Sequence, residues 1–114
     1  MSSRKIKVDR VFHALGDPTR RSIVEKLSRG PLSVTRLAAP LAITLTAVVQ
    51  HLRVLESCGL VCTEKIGRVR TCRIERAGFS ILDQWISAQR TLWERRLDRL
   101  GDVLAEQDEV DRKT

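Results

Sequence analysis

The chain has 114 residues, 42% of them hydrophobic, with three cysteines and a formal charge of +7. That length suits one small domain plus at most one further long element, and no apolar run reaches the roughly 20 residues of a membrane span. Residues 1–10 lack the apolar core of a secretion signal, and three cysteines are too few for a disulfide scaffold, so a cytoplasmic protein with reduced thiols and no membrane partner is expected. The charge is lopsided: residues 1–76 hold 15 Lys/Arg against 6 Asp/Glu, and residues 77–114 hold 6 against 8. Positive charge confined to one segment points to a polyanion, most often nucleic acid, although charge alone leaves RNA and membrane surfaces open.

The first predicted helix carries Val8, Val11, Phe12 and Leu15 as one stripe, and Gly16 is expected to end it in the left-handed conformation. Asp17 then reads as an N-cap and Pro18 as the first residue of a second helix, with Ile23, Val24 and Leu27 buried and Gly30-Pro31 as its stop. Ser33 caps a short third helix over Val34 to Ala39, which Pro40 helps to end. Thr44 opens the fourth, on which Leu45, Val48, Leu52 and Leu55 form the expected core row and Gly59 closes the end. Two helices joined by so short a turn make a helix-turn-helix.

After Gly59 the period changes. "LVCTEKIGRVRTCRIE" has β-branched and apolar residues on both sides of Gly67-Arg68, the pattern of a tight β-hairpin with Arg68, Arg70 and Arg73 at and beyond its tip. From Phe79 a long helix carries Leu82, Ile86, Trp93, Leu97, Leu100 and Leu104 near heptad spacing, with Trp85 and Leu92 alongside. One small domain has no core left to cover that stripe, so the expected cover is the same helix of a second chain. The expected dimer interface comprises Val11, Phe12, Leu82, Trp85, Ile86, Trp93, Leu97 and Leu100. The expected division is a DNA-binding domain over 1–76, a dimerisation helix over 77–107 belonging to the same domain, and a disordered tail over 108–114.

The fold class is therefore mainly α with a small β-hairpin wing: a winged helix-turn-helix with a long C-terminal dimerisation helix. In such a fold the second helix of the motif enters the major groove and the hairpin reaches the adjacent backbone. The outer row of that helix fits the task. Thr46, Gln50 and Arg53 can meet base edges and phosphates, and Val49 can pack on a thymine methyl. Thr44 can present backbone N–H groups of the helix start to a phosphate. With Ser33, Thr35, Ala47, His51, Arg68 and Arg70 these complete the expected DNA-binding set. Helix-turn-helix spacing also occurs in proteins that bind no DNA, and a protein-interaction winged helix is the alternative.

"ALGDPTRRSIVEKL", "LSVTRLA", "AVVQHLRVLESCGLV" and "GRVRTCRI" together resemble successive landmarks of the ArsR/SmtB family of winged-helix repressors, over nearly the whole chain. The tail "LDQWISAQRTLWERRLDRL" is similar to the branch whose members lack metal sites and often lie beside genes for small lipid-cavity or Aha1-type proteins. The resemblance implies a sequence-specific, dimeric repressor of a nearby operon, with autoregulation as one form of that role, acting on double-stranded operator DNA. Sensing members carry E-L-C-V-C-D-L, where this chain has "PLSVTRL" with Ser33 and Thr35 at the thiolate positions, and the second family site needs acids and histidines on the last helix whereas the two histidines here are His13 and His51. No metal site and no cofactor are expected, and the residues name no effector. The family usually has serine where Val49 stands, so an apolar contact replaces a hydroxyl and operator sequence does not carry over.

Cys58, Cys62 and Cys72 leave a thiol redox-responsive regulator as a further alternative, since two of them lie on facing strands, while small buried packing is the plainer role. No Gly-rich phosphate loop, Ser-His-Asp set or carboxylate pair in an apolar setting points to an enzyme.

Overall fold

The structure is a computed structural model that describes residues 3–113, with side chains over 7–112. The elements run α1 (Ser3–Leu15), α2 (Pro18–Leu27), β1 (Leu32–Ser33), α3 (Val34–Ala38), a 3-10 turn (Ala39–Leu41), α4 (Leu45–Ser57), β2 (Val61–Ile66), β3 (Val69–Ile74) and α5 (Arg76–Lys113). Up to Leu82 the chain forms one compact unit, and from Asp83 the rest of α5 is a second.

Caps account for most helix boundaries in the first unit. Asp17 accepts a hydrogen bond from Arg20 N–H at 2.9 Å and Pro18 takes the first helical position, where no N–H is needed. Ser33 and Thr44 cap α3 and α4 in the same way, accepting from Arg36 N–H and Ala47 N–H. Gly16 does not end α1 as expected, because among the described residues only Ala42, Gly30, Gly59 and Gly67 have positive φ. The last carbonyls of α1 are instead taken by arginines: Arg20 donates to the oxygens of Ala14 and His13, and Arg21 to that of Leu15 at 2.6 Å. With the carbonyls so satisfied, a left-handed glycine cap is not required. The third helix stops at Ala38 rather than Ala39, and Pro40 lies within the 3-10 turn that precedes the left-handed Ala42.

The sheet has three strands in the order β1-β3-β2, all antiparallel. The hairpin matches the expected register, with a two-residue Gly67-Arg68 turn between Ile66 and Val69 and Gly67 at φ 64 in the first central position. Strand β1 was not foreseen. Two residues show no periodicity, and Leu32 and Ser33 become a strand only by pairing with Cys72 and Thr71.

The core joins Val11, Ile23, Leu27, Leu37, Val48, Leu52, Leu55, Leu60, Val61 and Cys72. Two expectations fail here. Leu45 is exposed, because it starts α4 and its side chain lies a turn short of the core row that begins at Val48. Val11, expected at a dimer seam, is fully enclosed by the chain's own core.

A backbone contact fixes where the hairpin and α5 begin. Gly59 (φ 77) ends α4: its N–H donates to Glu56 O, and Leu60 N–H donates back to Leu55 O at 3.0 Å. Gly78 N–H then donates to Gly59 O at 2.7 Å, and a Cβ added to Gly78 would lie 2.7 Å from Cys58 O and 2.8 Å from Gly59 C. Both neighbours are backbone and cannot move aside cheaply. Gly78→Ala should therefore lower the unfolding free energy by about 2 to 4 kcal/mol, as overpacking against backbone does. Denaturant titration of the two proteins checks this; a loss below about 0.5 kcal/mol, the range of neutral surface changes, would mean the contact is loose.

Helix α5 continues through Lys113, past residue 107 where a frayed tail was expected to begin. Residues 105–113, "AEQDEVDRK", are mostly good helix formers without Gly or Pro, and Gln107 donates to Asp111 one turn on. Thr114 lies outside the described residues.

Candidate nucleic-acid interface

Helix α4 is amphipathic in an unusual sense. Val48, Leu52 and Leu55 face the core, while Thr44, Thr46, Gln50 and Arg53 are exposed and Ala47, Val49 and His51 are half-buried. The exposed row holds an amide, a hydroxyl and a guanidinium within two turns, the donor and acceptor types that read base edges. Val49 is less available than expected: it packs against the core and lines a hollow of about 70 Å³ between α4 and the hairpin. Arg53, Glu56 and Arg70 line the same hollow, so an arginine of the helix and one of the wing converge around a carboxylate. Arg68 is exposed in the turn, and Arg70 is exposed on β3 opposite Lys65. Ser33 is half-buried with its oxygen engaged in the α3 cap, and Thr35 beyond it is exposed.

His51 faces inward along the flank of α4. Its Nδ1 lies 3.4 Å from Arg20 Nη1 and 4.0 Å from Asp17 Oδ2. A guanidinium can only donate, so Nδ1 accepts and the neutral ring carries its proton on Nε2. Arg20 thus ties three elements together, through the end carbonyls of α1, its own place on α2, and His51 of α4. The same residue holds the Asp17 carboxyl below the ordinary carboxylate range, first through its backbone N–H and also through its charge, with a smaller effect from His51. Sequence reasoning missed Arg20. Its signal was present as two arginines in the first turn of α2, directly after the end of α1 and without an acidic neighbour other than the cap.

The residues expected at a dimer seam divide. Val11 is internal; Leu82 is half-buried against the core; Phe12, Trp85, Ile86, Trp93, Leu97 and Leu100 are exposed.

The cysteines do not form a pair. In the hairpin register Cys62 stands opposite Arg73 and Cys72 opposite Thr63, so successive-residue alternation puts Cys62 and Cys72 on opposite faces of the sheet. All three are free, Cys58 and Cys72 buried and Cys62 half-buried. Burial, reinforced by Glu56, pushes the Cys72 thiol up to about 11, and burial also raises Cys58. Among the described residues no three of His, Cys, Asp and Glu come together as metal ligands, and Ser33 and Thr35 offer hydroxyls where thiolates would be needed.

The arsR family of bacterial regulatory proteins matches residues 17–63, which span the α2 cap, the helix-turn-helix and the first turn of the wing strand. HTH-type transcriptional regulator Rv2034 of Mycobacterium tuberculosis is 39% identical over 98 residues, covering 82% of this chain and 92% of that protein. The chain belongs to the ArsR family. It is a winged helix-turn-helix transcriptional regulator. The crystal structure of the ArsR family transcriptional regulator RHA00566 is 41% identical, with a TM-score of 0.75 over 82% of this chain and 97% of that one. A solution structure from Mycobacterium bovis, of the homodimeric winged helix-turn-helix DNA-binding domain of Mb0332, is 29% identical with a TM-score of 0.61, covering 83% of this chain and 90% of that one.

The thiol placement in this ArsR chain has a direct chemical consequence. A thiol raised to about 11 is almost wholly protonated at neutral pH, and only the thiolate is nucleophilic. Iodoacetamide on the folded protein should label Cys62 first, with Cys58 and Cys72 labelled only after denaturant is added. Peptide mass spectrometry reads the order, and prompt labelling of Cys72 in the native state would contradict its burial.

Proposed function

We propose that this ArsR-family chain acts as a homodimer that binds operator DNA and represses the adjoining operon by occluding its promoter. The observation that carries the reading is the placement, in one compact unit, of the exposed Thr46, Gln50 and Arg53 row of α4 beside the wing arginines Arg68 and Arg70. In this reading α4 lies in the major groove with Gln50 and Thr46 at base edges, and Arg53, Arg68 and Arg70 meet phosphates. A two-fold dimer sets two such helices about 34 to 36 Å apart, one turn of DNA. The exposed apolar stripe of α5 and the homodimeric Mycobacterium bovis relative support the pairing. Buried, unpaired thiols and hydroxyls in place of thiolates favour a regulator released by something other than a metal or a disulfide.

A gel shift on the region upstream of the gene, with salt varied, tests the reading. Gln50→Ala should weaken operator binding by about 1 to 3 kcal/mol and leave random DNA almost unaffected. Equal losses on both DNAs would make Gln50 a backbone contact. Arg68→Ala or Arg70→Ala should act on both DNAs alike and reduce the log-log salt slope by roughly one unit for each phosphate no longer neutralised. An unchanged slope in both would take the wing off the DNA, and no shift at any salt with the unaltered protein would replace this reading with that of a protein-interaction module.

A further inference from the structure

Residues 83–113 of α5 hold one seven-residue row, Arg90, Leu97, Leu104 and Asp111, flanked by Trp93 and Leu100 three and four positions away. Trp93, Leu97, Leu100 and Leu104 are 67%, 58%, 54% and 58% exposed, so the stripe is left uncovered within the chain. A strict seven-residue repeat stays on one seam when two helices supercoil. The seam here is apolar in the middle and closed by opposite charges, an arginine at one end and an aspartate at the other.

The charge of the helix is divided in the same sense. Residues 83–99 carry four arginines and three carboxylates, whereas residues 100–113 carry two cations and five carboxylates. Asp108, Glu109 and Asp111 thus sit in the last turns, where the helix dipole favours cations and carboxylates destabilise the helix that bears them. Asp111 accepts from the neutral amide of Gln107 at 3.5 Å. An excess of carboxylates at this end of a helix is stabilised by positive charge brought from another helix.

A second copy of the same helix supplies that charge in one orientation only. Side by side and parallel, two copies put Arg90 against Arg90 and Asp111 against Asp111, like charges at both ends of the seam. Antiparallel, with the two-fold axis between Leu100 and Gly101, Arg90 of each copy meets Asp111 of the other and Leu97 meets Leu104. The distance from Arg90 to Asp111 is about 32 Å at 1.5 Å per residue, long enough for several apolar layers between the charged ends. We infer that residues 83–113 pair antiparallel with the same segment of a second copy, centred near Leu100 and closed at both ends by Arg90 to Asp111 contacts. This inference rests on the homodimer reading above and adds its orientation and register.

Charge reversal separates the possibilities. The full-length protein, Arg90→Asp, Asp111→Arg and the double variant are compared by sedimentation velocity over a dilution series at low ionic strength. Each single reversal replaces two attractive contacts per dimer with two repulsive ones and should raise the dimer dissociation constant on the order of tenfold. The double reversal restores both pairs and should return the constant to within about threefold of the starting value, because the two sites act on each other. Where a single variant loses helix content, Arg90→Gln and Asp111→Asn carry the same comparison, and their effects should be less than additive. A double variant as weak as the singles, or singles indistinguishable from the unaltered chain, overturns the antiparallel register while leaving a dimer. An unaltered chain that is monomeric at micromolar concentration overturns the dimer reading itself.

Discussion

The first unit depends on a contact between two backbones that only glycine allows. Gly78 N–H reaches Gly59 O at 2.7 Å because neither residue has a Cβ to hold them apart. From that point three elements take their positions. Gly59 turns the chain out of α4 so that Leu60 packs beside Leu55, Glu75 N–H returns to Leu60 O at the base of the hairpin, and α5 starts across the end of α4. A domain of this size is held together by a small difference between large terms, so one close contact that sets three directions is a large part of its margin.

The outward face of α4 follows from what holds its other sides. Its core row is buried by Val48, Leu52 and Leu55, its end by the glycine pair, and its flank by Arg20 through His51. Restrained on three sides, the helix presents Thr46, Gln50 and Arg53 in one orientation. Preorganisation of this kind lowers the ordering cost of binding. The basic excess of residues 1–76 is spread over the same unit, with Arg53 and Arg70 converging on the hollow beside Glu56. Glu56 keeps the two guanidiniums from facing each other uncompensated in the free protein.

Much of this was legible in the residues, for reasons that differ by element. The start of α2 was readable because Asp17-Pro18 has one strong local meaning, and the hairpin because Gly67 marks a two-residue turn between alternating strands. The core row of α4 was readable from period alone except at Leu45, where position in the helix outweighs apolarity. What escaped was tertiary. Strand β1 exists only through its partner, Gly78 matters only because Gly59 is beside it, and Arg20 replaces a glycine cap that α1 had been expected to have. Val11 shared a stripe with Phe12, and periodicity cannot say which of two neighbouring positions turns inward. The outer row of α4 was recognisable by what it lacked, the Glu and Lys of an ordinary solvated face.

The central claim is that the exposed row of α4 and the tip of the wing form one DNA-facing surface. Titration of the 15N-labelled protein with a duplex of its upstream region, followed by amide and arginine side-chain resonances, measures it directly. The account predicts that the largest shifts fall on Thr46, Gln50, Arg53, Arg68 and Arg70, with Val48, Leu52 and Leu55 moving little. Shifts concentrated instead around Arg29 and Arg73, at the opposite end of the sheet from the wing turn, would contradict it.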